Sequence, residues 1–307
     1  MRIVVTGATG LIGNALVPAL IARGARVIAL SRDAERARTQ LGIPVESANL
    51  EDRGSWTASL VGADAVIHLA GEPVGSGRWD AHRKQAIRDS RVESTRTIVE
   101  AIEALPAAQR PKALITASGI DYYPFAVDGP LDDDEVTERD PPSDEFLGRV
   151  CRDWEREARA AERLGVRVAR VRIGFVLCGG GALAKLTTPF RWFVGGRVGN
   201  GRQWLSWIHL DDVVGIFAAA AHDARYVGPI NAVADSLRNR EFARALGKAL
   251  GRPSWLPVPK RALELAVGEL AAYLVHGRRV VPARLRELGY AWKYRELDDA
   301  LAVALRR

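Results

Sequence analysis

A glycine-rich turn between a short apolar segment and a helical segment lies at the start of the chain. Residues 2–5 predict a strand, residues 14–22 predict a helix, and the glycines between them have the spacing Gly-x-x-Gly-x-x-Gly. Gly7 allows a tight turn, Gly10 lets a pyrophosphate approach the backbone, and Gly13 lets the helix pack closely on the strand. Because the amides at a helix N-terminus attract anions, the turn predicts a dinucleotide site. The other residues of this turn assigned to the site are Thr9, Leu11 and Ile12.

Composition places the chain among globular proteins. With 307 residues, 48% of them hydrophobic, it can form one large domain or up to two ordinary ones. Its two cysteines provide no disulfide framework, which is typical of a reducing compartment, and we predict a cytoplasmic protein. No uninterrupted apolar stretch reaches the roughly 20 residues that span a bilayer, so no membrane partner is predicted. The apolar opening segment is interrupted by glycines, Asn14 and Pro18, unlike a secretory signal.

The charge balance is basic, with 44 lysines and arginines against 37 acidic residues and a formal charge of +7. The chain has no dense basic run with interleaved aromatic residues and no zinc or helix-turn-helix spacing, so we predict neither a nucleic-acid partner nor a metal site. An excess of positive charge is compatible with the attraction of an anionic cofactor or substrate.

Strands and helices alternate along the first half of the chain. This alternation predicts an α/β fold with a doubly wound parallel Rossmann sheet and a smaller, mainly helical substrate lobe. We assign residues 1–180 and 211–235 to the dinucleotide-binding domain, and residues 181–210 and 236–307 to the substrate lobe. The predicted strands are residues 2–5, 25–30, 45–48, 65–70, 112–117, 166–173 and 229–232, and the main helices are residues 83–105, 146–164 and 211–221.

The end of the second predicted strand indicates which dinucleotide is bound. In an NAD site a carboxylate usually stands there, about 20 residues past the glycines, and bonds the ribose 2′-hydroxyl. This chain has Ser31 and Arg32 instead, and a hydroxyl and a guanidinium suit a 2′-phosphate. Asp33 follows directly and could reach back to the ribose. We therefore predict NADP(H) as the cofactor in preference to NAD(H).

Several further segments carry a resemblance to a known family. The chain resembles the extended short-chain dehydrogenase/reductase superfamily of the nucleotide-sugar epimerase and dehydratase type, and more narrowly its atypical "epimerase family protein" subgroup. The resemblance implies NADP-dependent oxidoreductase chemistry on an unassigned substrate, and a monomer or a homodimer. It also implies cofactor contacts by Leu69, Ala70 and Gly71. The segments that carry it are residues 69–72, 90–95, 146–147, 150–155, 201–204, 207–213, 268–269 and 277–282, together with Ser118.

Catalysis in this superfamily uses a serine, a tyrosine and a lysine four residues after the tyrosine. The resemblance places Ser118 at the serine position. The Tyr-x-x-x-Lys pair is missing, because that place is taken by Phe146 and Val150 or by Leu147 and Cys151, depending on the register. A phenol with a pKa near 10 needs the lysine to act at neutral pH, so this chain departs from the proton relay of ordinary epimerases and dehydrogenases.

Other residues are candidates for the missing chemistry. Tyr122 and Tyr123 follow Ser118, and each is either the proton donor or a wall of the pocket, with Tyr123 named as the candidate donor. Glu72 follows the fourth strand and is a candidate base or ribose ligand. Arg91 either binds a phosphate or an anionic substrate, or forms a surface ion pair with Asp89 or Glu93. Val176 is assigned to the cofactor side. His209 either binds substrate or is structural, with Asp211 as a helix cap.

Two functions from different classes fit these features. The first is an NADP(H)-dependent oxidoreductase of a small carbonyl or hydroxyl compound, in which Ser118 polarises the substrate oxygen and Tyr123 or a water supplies the proton. The alternative is a catalytically silent NADP(H)-sensing or scaffold protein, which the missing tyrosine–lysine pair favours. A nucleotide-sugar epimerase comes third.

Overall fold

The computed structural model describes residues 1–48, 50, 54–124 and 133–306. Most of its strands belong to one central sheet, and the others form two small sheets beside it. In chain order the strands are β1 Arg2–Thr6, β2 Arg26–Ser31, β3 Val45–Ser47, β4 Ala65–His68, β5 Ala113–Gly119, β6 Glu135–Val136, β7 Arg167–Ile173, β8 Phe175–Leu177, β9 Trp204–His209, β10 Gly228–Ala232, β11 Asp235–Arg238 and β12 Arg279–Val280.

The central sheet has seven strands in the order β10-β7-β5-β4-β1-β2-β3, and every neighbouring pair is parallel. The predicted doubly wound Rossmann sheet is therefore confirmed. The chain leaves β1 toward β2 on one side and returns on the other side at β4, so the carboxyl ends of β1 and β4 form the crevice where such folds bind ligands. The inner strands are uniformly buried because helices cover both faces.

Helices pack on both faces of the sheet. On one face α1 and α6 pack together over a core that contains Leu16 and Phe217, and on the other α3 packs on α4 over a core that contains Ile98 and Ala158. The helices are α1 Leu11–Ala22, α2 Ala34–Leu41, α3 Ala81–Glu103, α4 Phe146–Arg159, α5 Gly181–Arg191, α6 Leu210–His222, α7 Asn239–Leu250, α8 Lys260–Val267, α9 Leu270–Val275, α10 Ala283–Glu287 and α11 Leu297–Ala304.

The second half of the chain contains more strand than its sequence suggests. Strands β8, β9 and β11 form a three-stranded mixed sheet, and β12 pairs in parallel with β6. The isolated pattern did not reveal these short strands because their partners are distant in sequence and their stability comes from pairing and packing. The division into two domains stays a prediction.

Two further features concern membranes and metals. Among the helices formed by the described residues, none combines the length and the apolar character that a bilayer crossing requires. Within the same part of the chain, no cluster of three or more His, Cys, Asp and Glu side chains is arranged to hold a metal ion.

Candidate functional site

The glycine turn between β1 and α1 has the close backbone contacts that its spacing predicts. Gly7 has a φ of +66°, and a Cβ there would lie 2.6 Å from the carbonyl carbon of Leu69. A Cβ on Gly13 would lie 2.3 Å from the carbonyl oxygen of Gly7. A Cβ on Gly10 would meet only that same oxygen, at 3.2 Å. Gly7 and Gly13 therefore let the strand and the helix approach, while Gly10 leaves its outer side open.

A cavity of about 440 Å³ opens directly above this turn. The helix α1 begins at Leu11, and its first turn contains no acidic side chain that would neutralise the positive end of the helix. Free amides, a positive dipole and open space are what a pyrophosphate requires, so the site fits a dinucleotide. The residues that line the cavity are Thr9, Gly10, Leu11, Asn14, Ala15, Cys178, Gly179, Gly180, His209, Leu210 and Ala304.

The end of β4 lies against the same turn. The amide of Ala70 donates to Thr6 Oγ1 at 3.3 Å, and the amide of Leu69 donates to the carbonyl oxygen of Thr6 at 3.2 Å. Thr6 Oγ1 also lies 2.6 Å from Nδ1 of the buried His68. These bonds tie β4 to β1 at the crevice, and so they place Leu69, Ala70 and Gly71 beside the glycine turn.

The end of β2 presents Arg32 to solvent, while its neighbours are engaged. Asp33 is the N-cap of α2, and its carboxylate accepts from the amide of Arg36 at 3.0 Å. Ser31 Oγ donates to the carbonyl oxygen of Asp33 at 3.1 Å. Because the Asp33 carboxylate serves as a helix cap, the structure does not support its reaching back to a ribose. The exposed Arg32 side chain is the group at this position that can meet a 2′-phosphate.

Arg91 lies over the turn that follows β4. A Cβ on Gly71 would lie 3.2 Å from Arg91 Cζ, and Arg91 Nη1 donates to the carbonyl oxygens of Glu72 and Ile87, both at 3.0 Å. Burial lowers the pKa of Arg91. The predicted ion pair with Asp89 or Glu93 is not formed, because those carboxylates contact Arg88 and, for Glu93, Arg96. Arg91 holds the backbone of the β4 end instead.

Glu72 forms an ion pair beside this turn. Its Oε1 accepts from Arg83 Nη1 at 2.7 Å, and about a third of its side chain is exposed (34%). Its backbone amide donates to Ser90 Oγ at 2.9 Å. The ion pair fixes the Glu72 carboxylate beside the turn that follows β4, where its oxygens can accept hydrogen bonds.

Ser118 stands at the end of β5 and is held by a buried ion pair. Its Oγ donates to Glu155 Oε1 at 2.8 Å. The same carboxylate accepts two bonds from Arg172, 2.7 Å from Nε and 2.8 Å from Nη2, and both side chains are almost fully buried. A hydroxyl that donates to Glu155 keeps its lone pairs as acceptors. Ser118 therefore has a fixed hydroxyl orientation at the end of β5, and only 4% of the residue is exposed.

Tyr123 does not face the crevice as an acid would. It is 1% exposed, its hydroxyl donates to Asn231 Oδ1 at 2.7 Å, and it accepts from Arg172 Nη1 at 2.7 Å. Burial raises the pKa of Tyr123. With these bonds made inside the protein, the position does not support the predicted role of proton donor. The ring of Tyr122, whose centroid lies 3.5 Å from Arg172 Cζ, is a wall of the same region.

The place of the missing tyrosine and lysine can be read from the start of α4. A Cβ on Gly119 would lie 3.6 Å from Cys151 Sγ, so the Cys151 side chain faces the end of β5. Of the two possible registers, the one that puts Leu147 and Cys151 at the tyrosine and lysine positions therefore fits the structure. Burial raises the pKa of the Cys151 thiol to about 12, so it is not ionised at neutral pH. The same Cβ would lie 3.3 Å from Asp121 Oδ2, and burial raises the pKa of Asp121 to about 6.

A phenol from the C-terminal part of the chain reaches this helix start. The amide of Leu147 donates to the hydroxyl of Tyr273, in α9, at 3.0 Å. The ring packs against Trp79 with a centroid distance of 5.5 Å. Burial raises the pKa of Tyr273 to about 12, although the Leu147 bond opposes that effect. Sequence reasoning missed Tyr273 and Asp121, and no local motif marks either of them.

Val176 and His209 lie on paired strands next to the cavity. Val176, in β8, pairs with Ile208 of β9 and is half-buried. His209 is the N-cap of α6, where its Nδ1 accepts from the amide of Asp211 at 3.1 Å. The predicted cap at Asp211 is therefore wrong, because the cap is His209, whereas Asp211 pairs with Lys293.

Two family models match this chain. The first, described as the NAD dependent epimerase/dehydratase family, covers residues 3–232. The second, described as a domain of unknown function (DUF1731), covers residues 258–304. The first match takes in the glycine turn, β4, β5 and α4, and the second takes in Tyr273.

Similar proteins cover almost the whole chain. The epimerase family protein SDR39U1 homolog, chloroplastic, of Arabidopsis thaliana is 39% identical over 306 residues, which are 98% of this chain and 86% of the relative. The epimerase family protein YfhF of Bacillus subtilis is 32% identical over 303 residues, 98% of this chain and 97% of the relative. A solved structure of human epimerase family protein SDR39U1 with NADPH has a TM-score of 0.86 at 34% identity, and covers 100% of this chain and 99% of that one.

Proposed function

Because this chain belongs to the NAD-dependent epimerase/dehydratase family, we propose that it is an NADP(H)-dependent oxidoreductase of a small carbonyl or hydroxyl compound. The observation that carries the proposal is made at the end of β2. There the Arg32 side chain is exposed, and the neighbouring Asp33 carboxylate caps α2. A free guanidinium with no competing carboxylate favours a 2′-phosphate over a 2′-hydroxyl. The NADPH in the similar human protein supports this choice.

The residues of the crevice would hold the cofactor along its length. The amides at the start of α1 would bind the pyrophosphate, and Arg32 with Ser31 would bind the 2′-phosphate. The close packing of Arg91 on Gly71 would hold the β4 end in place beside the bound cofactor. When bound, the cofactor supplies or accepts a hydride, and the protein orients the two reactants.

Ser118 would bind the substrate oxygen. Its hydroxyl hydrogen is directed to Glu155, so its lone pairs can accept a hydrogen bond from a substrate hydroxyl. A carbonyl substrate lacks that hydrogen and needs a donor from another group. Ser118 therefore fits the alcohol form of the substrate best. For the carbonyl form, another residue has to donate the hydrogen bond.

Tyr273 replaces Tyr123 in our proposal as that donor. Its hydroxyl lies at the start of α4, where relatives in the superfamily place their tyrosine, and the Leu147 amide that bonds its oxygen stabilises negative charge on it. A phenol with a pKa near 12 is a weak base at neutral pH but still a stronger acid than an alcohol. This assignment favours reduction, in which a proton passes to a forming alkoxide.

The direct test is the loss of NADPH absorbance with a panel of aldehydes, ketones and nucleotide sugars. We expect turnover with at least one of them, its loss in Tyr273→Phe, and unchanged NADPH affinity in that variant. Tyr226→Phe, which alters a tyrosine just before β10 at the opposite end of the sheet, serves as the matched control and should keep full activity. Tight NADPH binding without turnover of any compound would argue strongly against an enzyme.

A second function is favoured by one observation. The hydroxyls of Ser118 and Tyr123, the two that the sequence assigned to catalysis, both make hydrogen bonds to buried groups inside the protein. Hydroxyls that are engaged in this way also suit a protein that binds NADP(H) and changes its affinity for a partner without turnover. Capture of partners with the purified protein, loaded in turn with NADP⁺ and NADPH, tests this function, and a partner set that does not change with redox state would count against it.

A further inference from the structure

Two exposed segments of the chain form one apolar surface, which we call the aromatic tip. It consists of residues 192–194, which follow α5, and residues 255–256, which lie between α7 and α8. Trp192 is 76% exposed and Trp255 is 66% exposed, and the three other residues are between 40% and 54% exposed. Two tryptophans are costly to leave in water, because each has a large apolar surface.

Hydrogen bonds to main-chain oxygens join the two segments, so they form one defined surface. Trp255 Nε1 donates to the carbonyl oxygen of Phe193 at 3.0 Å. The amides of Trp255 and Leu256 both donate to the carbonyl oxygen of Gly195, at 3.2 and 3.3 Å. In the described part of the chain, Phe193 is the one residue other than glycine with a positive φ, 62°. This strained backbone conformation turns its side chain outward.

The protein's own core does not need these side chains. Phe190, one turn earlier in α5, is the residue that enters the core, and it is 4% exposed. It packs closely under the tip, since a Cβ on Gly195 would lie 2.3 Å from its ring. The tip is therefore an apolar surface on top of a completed core, and its natural role is contact with something outside the chain.

The charged residues in the sequence segments that contain the tip are all basic. Residues 163–210 and 242–263, which include both segments, contain no aspartate or glutamate. Arg252 Cζ lies 4.6 Å from the centre of the Phe193 ring. The first acidic residue after the second segment, Glu264, faces Lys260 at 4.0 Å. The exposed basic side chains of these segments near the tip are Arg191, Arg197, Arg252, Lys260 and Arg261.

From these features we infer that the aromatic tip binds the surface of an anionic lipid bilayer. Indole rings prefer the headgroup region, the aliphatic Val194 and Leu256 can enter the acyl boundary, and the arginines pair with lipid phosphates. Basic residues near such a surface add electrostatic attraction that salt weakens. The two aliphatic residues favour lipid over single-stranded nucleic acid, whose bases stack on aromatic rings but gain little from valine or leucine.

The tip is separate from the cofactor site. The helix α5 begins at Gly181, next to the cavity-lining Gly180, and ends at Arg191, so about 16 Å of helix lies between them. Variants of the tip should therefore leave NADPH binding unchanged. The inference does not depend on the proposed reaction.

Co-sedimentation with vesicles of phosphatidylcholine, with and without phosphatidylserine, tests the inference. We expect the full chain to bind only the anionic vesicles, more weakly at high salt, and the double variant Trp192→Ser/Trp255→Ser to bind them at least about tenfold less. Val227→Ser removes an exposed valine before β10 and should bind like the wild type. NADPH titration and thermal melting establish that both variants are folded.

Three results would overturn it. The first is equal binding of the double variant and the wild type, and the second is no binding of the wild type to either vesicle. The third is a different occupant of the tip. A dimer in solution that dissociates in the double variant would assign the tip to a second copy of this chain, and binding of single-stranded nucleic acid that the double variant loses would assign it to that ligand.

Discussion

The hydroxyl of Tyr273 lies 3.0 Å from the backbone nitrogen of Leu147, although the two residues are 126 positions apart. This bond brings a side chain of the C-terminal segment of unassigned function to the start of α4, where the superfamily's catalytic tyrosine would stand. The same C-terminal segment also contributes Glu269, which pairs with Lys84 of α3. The C-terminal segment therefore contacts the starts of both α3 and α4.

The first prediction concerns the choice of cofactor. Arg32→Ala should raise the Kd for NADPH by about 10- to 100-fold, since a charge-assisted bond contributes roughly 1.5–3 kcal/mol. The Kd for NADH should not change. Tryptophan fluorescence titration measures both constants. Arg26→Ala, an exposed arginine at the other end of the same strand, is the control for charge alone. Equal losses for NADPH and NADH would contradict the assignment of Arg32.

The second prediction separates the two possible roles of Asp33. As an N-cap it should contribute about 1 kcal/mol to folding, so Asp33→Ala should lower the free energy of unfolding by that amount. Because its carboxylate does not reach the ribose, the Kd for NADH should stay the same. Urea unfolding and NADH titration supply the two measurements. A large loss of NADH affinity with unchanged stability would reverse the assignment.

The third prediction concerns the buried pair of Glu155 and Arg172. Glu155→Ala should lower the free energy of unfolding by about 3–5 kcal/mol, because it leaves a guanidinium buried without its counter-ion. Glu93→Ala, which removes an exposed glutamate paired with Arg96, should cost less than about 1 kcal/mol. Urea denaturation compares the two. Similar small effects would mean that Arg172 finds another partner or water.

The fourth prediction is a pH dependence that comes from Asp121. Burial raises the pKa of its carboxyl from 3.8 in the unfolded chain to about 6 in the fold. The neutral form is the one that the fold favours, so its contribution to stability is full below the unfolded pKa and is lost as pH rises through about 6. Asp121→Asn should therefore melt at a higher temperature than the wild type at about pH 8 and at a similar temperature near pH 4.

Thermal melting across this pH range provides the measurement for Asp121. Asp235→Asn, an exposed aspartate in β11, is the control and should follow the wild-type curve. A wild-type advantage at high pH would show that Asp121 is ionised and stabilising in the fold.

The fifth prediction distinguishes two glycines of the first turn. A Cβ on Gly13 would collide with the carbonyl oxygen of Gly7, so Gly13→Ala should cost about 1–3 kcal/mol of stability. Gly10→Ala has more room and should fold, but its methyl group lies where the pyrophosphate approaches. Thermal melting with NADPH titration should therefore show a stability loss in the first variant and a binding loss in the second.

Local patterns predicted those parts of the site whose residues are close in sequence. The glycine turn between β1 and α1 has its expected contacts because its spacing, its strand and its helix lie within the first 22 residues. The parallel sheet could also be predicted from local patterns, since each strand–helix unit has its own hydrophobic pattern. The environment of Glu138 could not be predicted in this way, because its partly buried carboxylate accepts bonds from the amides of Asn231 and Arg284, which are distant in sequence.

The sequence by itself predicted the cofactor half of this protein, because a single strand–turn–helix unit dictates the backbone geometry that suits a phosphate. Only the tertiary structure decided the chemical half. Whether a hydroxyl is an acid, a ligand or a buried support depends on distant partners, as Glu155 does for Ser118 and Arg172 and Asn231 do for Tyr123. Burial and hydrogen bonding set the reactivity of such groups, and both arise from packing between segments that no local pattern connects.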